Sequence, residues 1–256
     1  MTAQYLKVVA FVFFAVGAST AMPAEIDEIG KDAPARVFSI KGELRSGDYA
    51  RLRASILNSD KYIAWVHIDS PGGDVLEAMR IGRLLRTLSL RTQAGRCNSA
   101  CVLAWIGGAE RTANGDIGLH RPYFDRSYFA DLTQAQAESK YAELSTRVEQ
   151  YLKEMNVPQE AIELIFRTSS SDISYVGPEN NWRLFARLSA KAPAYDEWIL
   201  SKCGSPPITL GEMRKIAQGS TDEDLWNRYG PWAGCTERAR VVAFEDGLRK
   251  ARSARE

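Results

Sequence analysis

The sequence predicts an α/β protein of stacked βα units with mainly parallel strands, followed by a carboxy-terminal extension. Three observations carry that expectation. Tyr62 to Ile68 is almost continuously apolar, the pattern of a strand buried on both faces of a helix-covered sheet. It runs straight into Ser70-Pro71-Gly72-Gly73-Asp74, after which Ile81, Leu84, Leu85 and Leu88 mark one stripe of a helix. The same strand, turn and helix order then returns between Leu90 and Ile106, and alternation at this spacing gives parallel pairing.

A short polar segment precedes the first strand, Arg36 to Ile40; Gly42 and a helix from Asp48 to Leu57 follow. Asp74 is placed to cap the next helix, with Glu77 in the reciprocal capping-box position. A short strand spans Leu90 to Gln93, and Gly95-Arg96-Cys97-Asn98-Ser99-Ala100-Cys101 leads as a turn into an apolar helix, Val102 to Ile106. Ile117 to His120 reads as another strand end. Thr133 and Gln136 form a second capping box, and Tyr141, Leu144, Val148, Leu152 and Met155 then trace a long amphipathic helix. Its opposite face carries Glu138, Arg147 and Glu154. The apolar stripe is wider than one small domain readily covers, which favours contact with a second copy over packing within the chain.

The chain has 256 residues with 33 basic and 32 acidic side chains, and 45% of it is apolar. That is enough for one large domain with an appendage, and the near-zero charge argues against nucleic-acid binding. Residues 1–21 read as an export signal: Lys7, the uncharged run Val8 to Ala18, then Ser19-Thr20-Ala21 as a cleavage site. The run is short for a spanning helix, although uncleaved retention as an inner-membrane anchor is the alternative. Cleavage would place a neutral mature chain in the periplasm or outside the cell. The four cysteines suit that compartment. Cys203 and Cys235 flank a Pro- and Gly-containing stretch and are the preferred bridge. Cys97 and Cys101 are either a second bridge or two small buried hydrophobes. With only His67 and His120 present, and neither at ligand spacing from a cysteine pair, no metal site is expected. Mid-strand, His67 reads as a core histidine bonded to backbone.

Two turns could build one active site. Gly72-Gly73 lets the backbone approach a ligand and leaves N–H groups pointing outward. Ser99 sits at a second strand-to-helix turn. A serine hydroxyl needs a base to become a nucleophile, and His120 is the nearest in sequence. The N–H groups of Gly73 and Ala100 are the natural donors for an oxyanion.

Ser70-Pro71-Gly72-Gly73, then Ser99-Ala100, then Gly118-Leu119-His120-Arg121-Pro122 resemble, in order and spacing, the proteolytic subunit of Clp protease and its relatives in the crotonase-like superfamily. The resemblance spans about Val37 to Leu188 and implies a domain of residues 36–190, with 195–256 as an extension. It implies Ser99 as nucleophile, His120 as general base, Gly73 and Ala100 as oxyanion donors, and Asp172 as the acid that orients the imidazole. It implies no cofactor. The chain departs from the family in its export signal, in the cysteines around Ser99 and in its tail. An exported protein cannot meet a cytoplasmic ATP-driven unfoldase, so no ATPase partner is expected.

Two functions follow as expectations. One is a serine peptidase that cleaves extended peptides or unfolded polypeptide through an acyl-enzyme, with self-association through the 133–155 helix. The other is a catalytically inactive module of the same fold that binds or scaffolds envelope proteins. Acyl-CoA chemistry fails on compartment. In the tail, Trp198, Trp226 and Trp232 are expected to anchor a disulfide-stapled lobe on the main domain. The basic residues from Arg238 to Arg255, interspersed with acids, read as a solvated helix face.

Overall fold

A computed structural model describes residues 23–254 apart from 31, 32, 34, 60 and 125–130, so the export signal at 1–21 lies outside the described residues. The architecture is α/β. In chain order it runs β1 (Glu25–Ile29), β2 (Arg36–Lys41), α1 (Asp48–Leu57), β3 (Ile63–Ser70), α2 (Val75–Thr87), β4 (Arg91–Asn98), α3 (Ala100–Trp105), β5 (Glu110–Ala113) and β6 (Ile117–Leu119). There follow α4 (Gln134–Glu154), α5 (Gln159–Arg167), β7 (Ser174–Val176), α6 (Trp182–Leu188), α7 (Pro193–Cys203), α8 (Leu210–Ala217) and α9 (Glu223–Ser253). No described helix is long and apolar enough to cross a membrane.

The described strands form one mixed sheet in the order β1-β2-β3-β4-β6-β7, with β5 also paired to β4. β2, β3, β4, β5 and β6 pair in parallel, while β1 and β7 add antiparallel margins. The polar segment ahead of β2 is therefore a strand, whose alternating Glu25, Ile26, Asp27, Glu28 and Ile29 suit a sheet margin better than a core. β4 is longer than Leu90 to Gln93. Ladder bonds carry it through Gly95 to Asn98, so the turn before α3 shrinks to Ser99.

β3 is not buried on both faces. Val66 and Ile68, in register with Thr92 and Ala94, lie under the helices, and Thr92 Oγ1 donates to the Trp105 carbonyl in α3 at 2.8 Å. Trp65, His67 and Asp69 occupy the other, half-exposed face. The apolar run hides this because the residue giving most of that face its hydrophobicity, Trp65, is roofed by Arg91, whose guanidinium carbon lies 4.6 Å from the ring centroid. His67 faces the same side, between Ser39 and Gln93 in register, and is half-buried; among the described residues it has no backbone partner of the kind expected.

The α4 capping box forms in both directions between Thr133 and Gln136. The apolar stripe behind it does not wait for a second copy. From Leu144 through Val148 and Leu152 to Met155 it is buried in the main core of the same chain, and Tyr151 donates to the Leu103 carbonyl at 2.6 Å. α2 lacks the expected capping box. Asp74 accepts from Leu76 and Glu77 N–H at 2.8 and 3.0 Å, but the Glu77 carboxylate turns to α1, where it accepts the Tyr49 N–H at 2.8 Å.

The tail lies across the starting ends of the parallel strands. Arg240 of α9 pairs with Glu110 at the start of β5 (2.8 Å), and Glu237 meets Arg91 at the start of β4 (3.3 Å). Phe244 packs edge-on against Tyr62. Arg252 donates to the Leu57 carbonyl at the end of α1. Arg240 is thus a docking contact rather than part of a solvated face. Of the three tail tryptophans only Trp198 packs on a core cluster shared with Ala109. Trp226 and Trp232 sandwich Tyr229 and donate to the carbonyls of Ser220 and Gly204 within the lobe.

Both cysteine pairs are bridged, Cys97 to Cys101 and Cys203 to Cys235. The second ties the end of α7 to α9 across 32 positions. Replacing Cys203 and Cys235 by Ala is expected to lower the unfolding free energy by roughly 3–4 kcal/mol in the chain-entropy model, read by urea titration. A second expectation concerns acid. Burial pushes the His67 imidazole below its ordinary value of 6.5, so the unfolded chain takes up that proton first as pH falls. Stability contributed by neutral His67 is present above 6.5 and is lost as pH drops from there through the depressed folded value. Thermal midpoints measured between pH 7 and 5 should fall less steeply in His67→Gln.

Candidate active site

Parallel strands present the same end, and β3, β4 and β6 stop at Ser70, Asn98 and Leu119 on one side of the sheet. In open α/β sheets the crevice outside the carboxyl ends of the strands is where ligands sit. Here the three turns that leave those ends line a cavity of about 560 Å³ together. Gly73 comes from the first, Ser99 and Ala100 from the second, His120 from the third. Val102 and Leu103 of α3, Leu144 and Val148 of α4 and Ile165 of α5 form an apolar wall.

The first turn is built without side chains where it matters. Ser70 is buried, and its hydroxyl holds Gly72 by accepting the N–H (3.1 Å) and donating to the carbonyl (3.2 Å). Gly72 and Gly73 have φ of 116° and 130°, a region open to glycine. A Cβ on Gly72 would stand 2.7 Å from that of Ser99, so the two turns touch. Leu44, just past β2, donates its N–H to the Gly72 carbonyl at 2.7 Å and accepts from Asp74 N–H at 2.8 Å. Strand-like alternation then directs the Gly73 N–H away from Leu44. Among the described residues that N–H donates to no partner, and neither does that of Ala100, the first residue of α3.

Ser99 has φ 57° and ψ −129°, a backbone conformation that costs a residue with a Cβ on the order of 1–3 kcal/mol. Neighbours hold it there: its N–H donates to the Gly118 carbonyl at 2.9 Å and its carbonyl accepts from Val102 N–H at 3.1 Å. It occupies the N-cap position of α3, yet its hydroxyl caps nothing. A sharp strand-to-helix turn of this kind exposes a hydroxyl at the end of a sheet.

His120 is half-buried, and its Nδ1 lies 2.8 Å from the carbonyl of Arg121. A carbonyl only accepts, so Nδ1 carries a proton, and in the neutral ring it is Nε2 that holds the lone pair. The Arg121 N–H in turn donates to Thr168 at 3.0 Å, which moors the segment to the loop after α5. Asp172 belongs to that loop but is exposed, with its N–H bonded to the Ser169 carbonyl at 3.1 Å. Among the described residues no hydrogen bond or ion pair joins Asp172 to His120, and none joins Ser99 Oγ to the imidazole. The expected site thus converges in four residues of five. The position expected for the acid is taken by a main-chain carbonyl, which no side-chain pattern could have announced. Leu44, which aims Gly73, was also missed; its only trace is an apolar residue two positions after Gly42.

No protein-family model matches the chain, and no curated protein matches it either.

Gly72→Ala should be severe, because the new methyl group meets Ser99 Cβ at 2.7 Å and the Asn98 carbonyl at 3.0 Å on top of an unfavourable φ. A loss of about 2–5 kcal/mol is expected by urea unfolding. Gly47→Ala, with φ 97° and nothing within 4 Å of its Cβ, should lose only about 1–2 kcal/mol.

Proposed function

We propose that the protein is an exported serine peptidase, similar to the proteolytic subunit of Clp protease and built on crotonase-like architecture, that works without an unfoldase. The observation that carries this reading is Ser99. It is a strained residue whose hydroxyl makes no hydrogen bond among the described residues, opening on the same cavity as an imidazole whose Nε2 has no partner among them. Strain of this sort persists where the surroundings over-determine it and gathers at functional sites. Two disulfides suit a site of action outside the cytoplasm.

Ser99 Oγ attacks the scissile carbonyl as His120 Nε2 takes its proton. The oxyanion that forms is met by the N–H groups of Gly73 and Ala100. Collapse expels the amine, which receives the proton from His120, and water later hydrolyses the acyl-enzyme by the same route in reverse. The Arg121 carbonyl holds the imidazole in the reactive tautomer and faces the imidazolium as it forms. Seryl and imidazole groups are often apart before substrate arrives, so the lack of a Ser99–His120 hydrogen bond among the described residues fits a resting site. The apolar wall suits a substrate with an apolar side chain next to the bond cut.

A fluorophosphonate probe tests this directly. The folded protein should label at Ser99, mapped by peptide mass, and Ser99→Ala should abolish labelling. His120→Ala should slow it by about 100-fold or more. Asp172→Asn should change the rate by less than about threefold, because a main-chain carbonyl sets the tautomer; a loss near 10⁴-fold is the signature of an aspartate in that role. A native protein that never labels contradicts the hydrolase reading.

A further inference from the structure

We propose that the Cys97–Cys101 disulfide is a positioning element for Ser99, so that the rate of acyl transfer depends on the redox state of this one bridge. The inference rests on the hydrolase reading of Ser99 and adds a control to it. The bridge spans four positions with Ser99 at its midpoint. Cys97 is fixed on both sides in the sheet, in register with Ser70 of β3 and Ile117 of β6, while Cys101 lies in the first turn of α3. Both are fully buried. The covalent link therefore fixes where α3 starts relative to β4 and leaves Asn98, Ser99 and Ala100 few ways to connect them. The connection found is the one that forces Ser99 to φ 57°.

Without the bridge, two main-chain hydrogen bonds on Ser99 remain to oppose relaxation toward ordinary φ, where Oγ leaves the cavity. The Ala100 N–H sits inside the same covalent ring, so one link holds both the nucleophile and an oxyanion donor. Stabilisation of the fold is a poorer explanation. Loop-closure entropy grows with loop length, and this loop is far shorter than the 32 positions spanned by Cys203–Cys235. That second bridge lies in the tail, away from the cavity, and serves as an internal control.

Because both cysteines are fully buried, the redox step is exchange that follows local opening at the start of α3. A thiolate of an external dithiol attacks one bridge sulfur and expels the other as a thiolate. The dithiol's second sulfur then closes on the first, releasing the remaining cysteine. The bridge gains two electrons and two protons as two thiols, and the dithiol becomes a cyclic disulfide.

The experiment compares fluorophosphonate kinetics of the wild type, Cys97→Ala/Cys101→Ala and Cys203→Ala/Cys235→Ala, with circular dichroism to verify folding. The first double variant should label about tenfold more slowly or worse at saturating probe, the effect expected when a strained conformer is released. The pH midpoint of labelling should not move, because His120 lies outside the ring. The tail variant should label like the wild type. Labelling of Cys97→Ala/Cys101→Ala at the wild-type rate overturns the proposal while the hydrolase reading stands; a wild type that never labels removes both. If Cys97→Ala/Cys101→Ala does not fold, Cys203→Ala/Cys235→Ala is purified with dithiothreitol and then oxidised with glutathione disulfide. Labelling should rise in step with formation of the bridge at 97 and 101, and equal labelling of the two forms overturns the proposal.

Discussion

Ser99 is held in a backbone conformation that side chains disfavour, at the one-residue junction between a central strand and a buried helix. Most of the local design serves that junction. Gly72 has no Cβ because Ser99 occupies the space it would fill. Ser70 and Leu44 pin the glycine turn from either side, and the Gly118 carbonyl takes the Ser99 N–H. A cost of about 1–3 kcal/mol at one residue is small beside a core of this size, but it is borne only while every neighbour is in place.

The sheet separates the candidate site from the elements that stabilise the chain. Its carboxyl ends carry the three turns that line the cavity. Its starting ends are closed by α9, through the Arg240–Glu110 and Glu237–Arg91 pairs and the Phe244–Tyr62 contact. The tail can thus stiffen the strands without approaching the cavity. α4 links the two functions: buried along Leu144, Val148 and Leu152, it is core on one side and cavity wall at its middle.

Much of this was legible in the sequence. Local signals held where they depend on local physics, as in the bounds of α1 and the capping box of α4, because a helix start is decided by the few N–H groups nearest to it. They failed where a distant partner competed. Glu77 has the spacing of a capping box, yet the α1 amide of Tyr49 captures it. β1 and β5 are short, and ladder bonds to neighbours, which a sequence does not display, make them strands. Trp65 reads as core because hydropathy cannot register the Arg91 guanidinium that covers it. Four of the five expected residues line one cavity, and they could be named beforehand because side-chain chemistry and glycine turns leave a pattern. The carbonyl that holds His120 belongs to the main chain, and any residue at position 121 would supply one.

The central claim is that Ser99, His120 and the amides of Gly73 and Ala100 surround one reacting centre. Its most direct measurement is a crystal structure of the protein after reaction with a fluorophosphonate. Phosphorus bonded to Ser99 Oγ, with one phosphonyl oxygen accepting from both amides and His120 Nε2 turned to the adduct, is the predicted result. An adduct on another residue, or a phosphonyl oxygen that points to solvent while both amides stay unpaired, would contradict it.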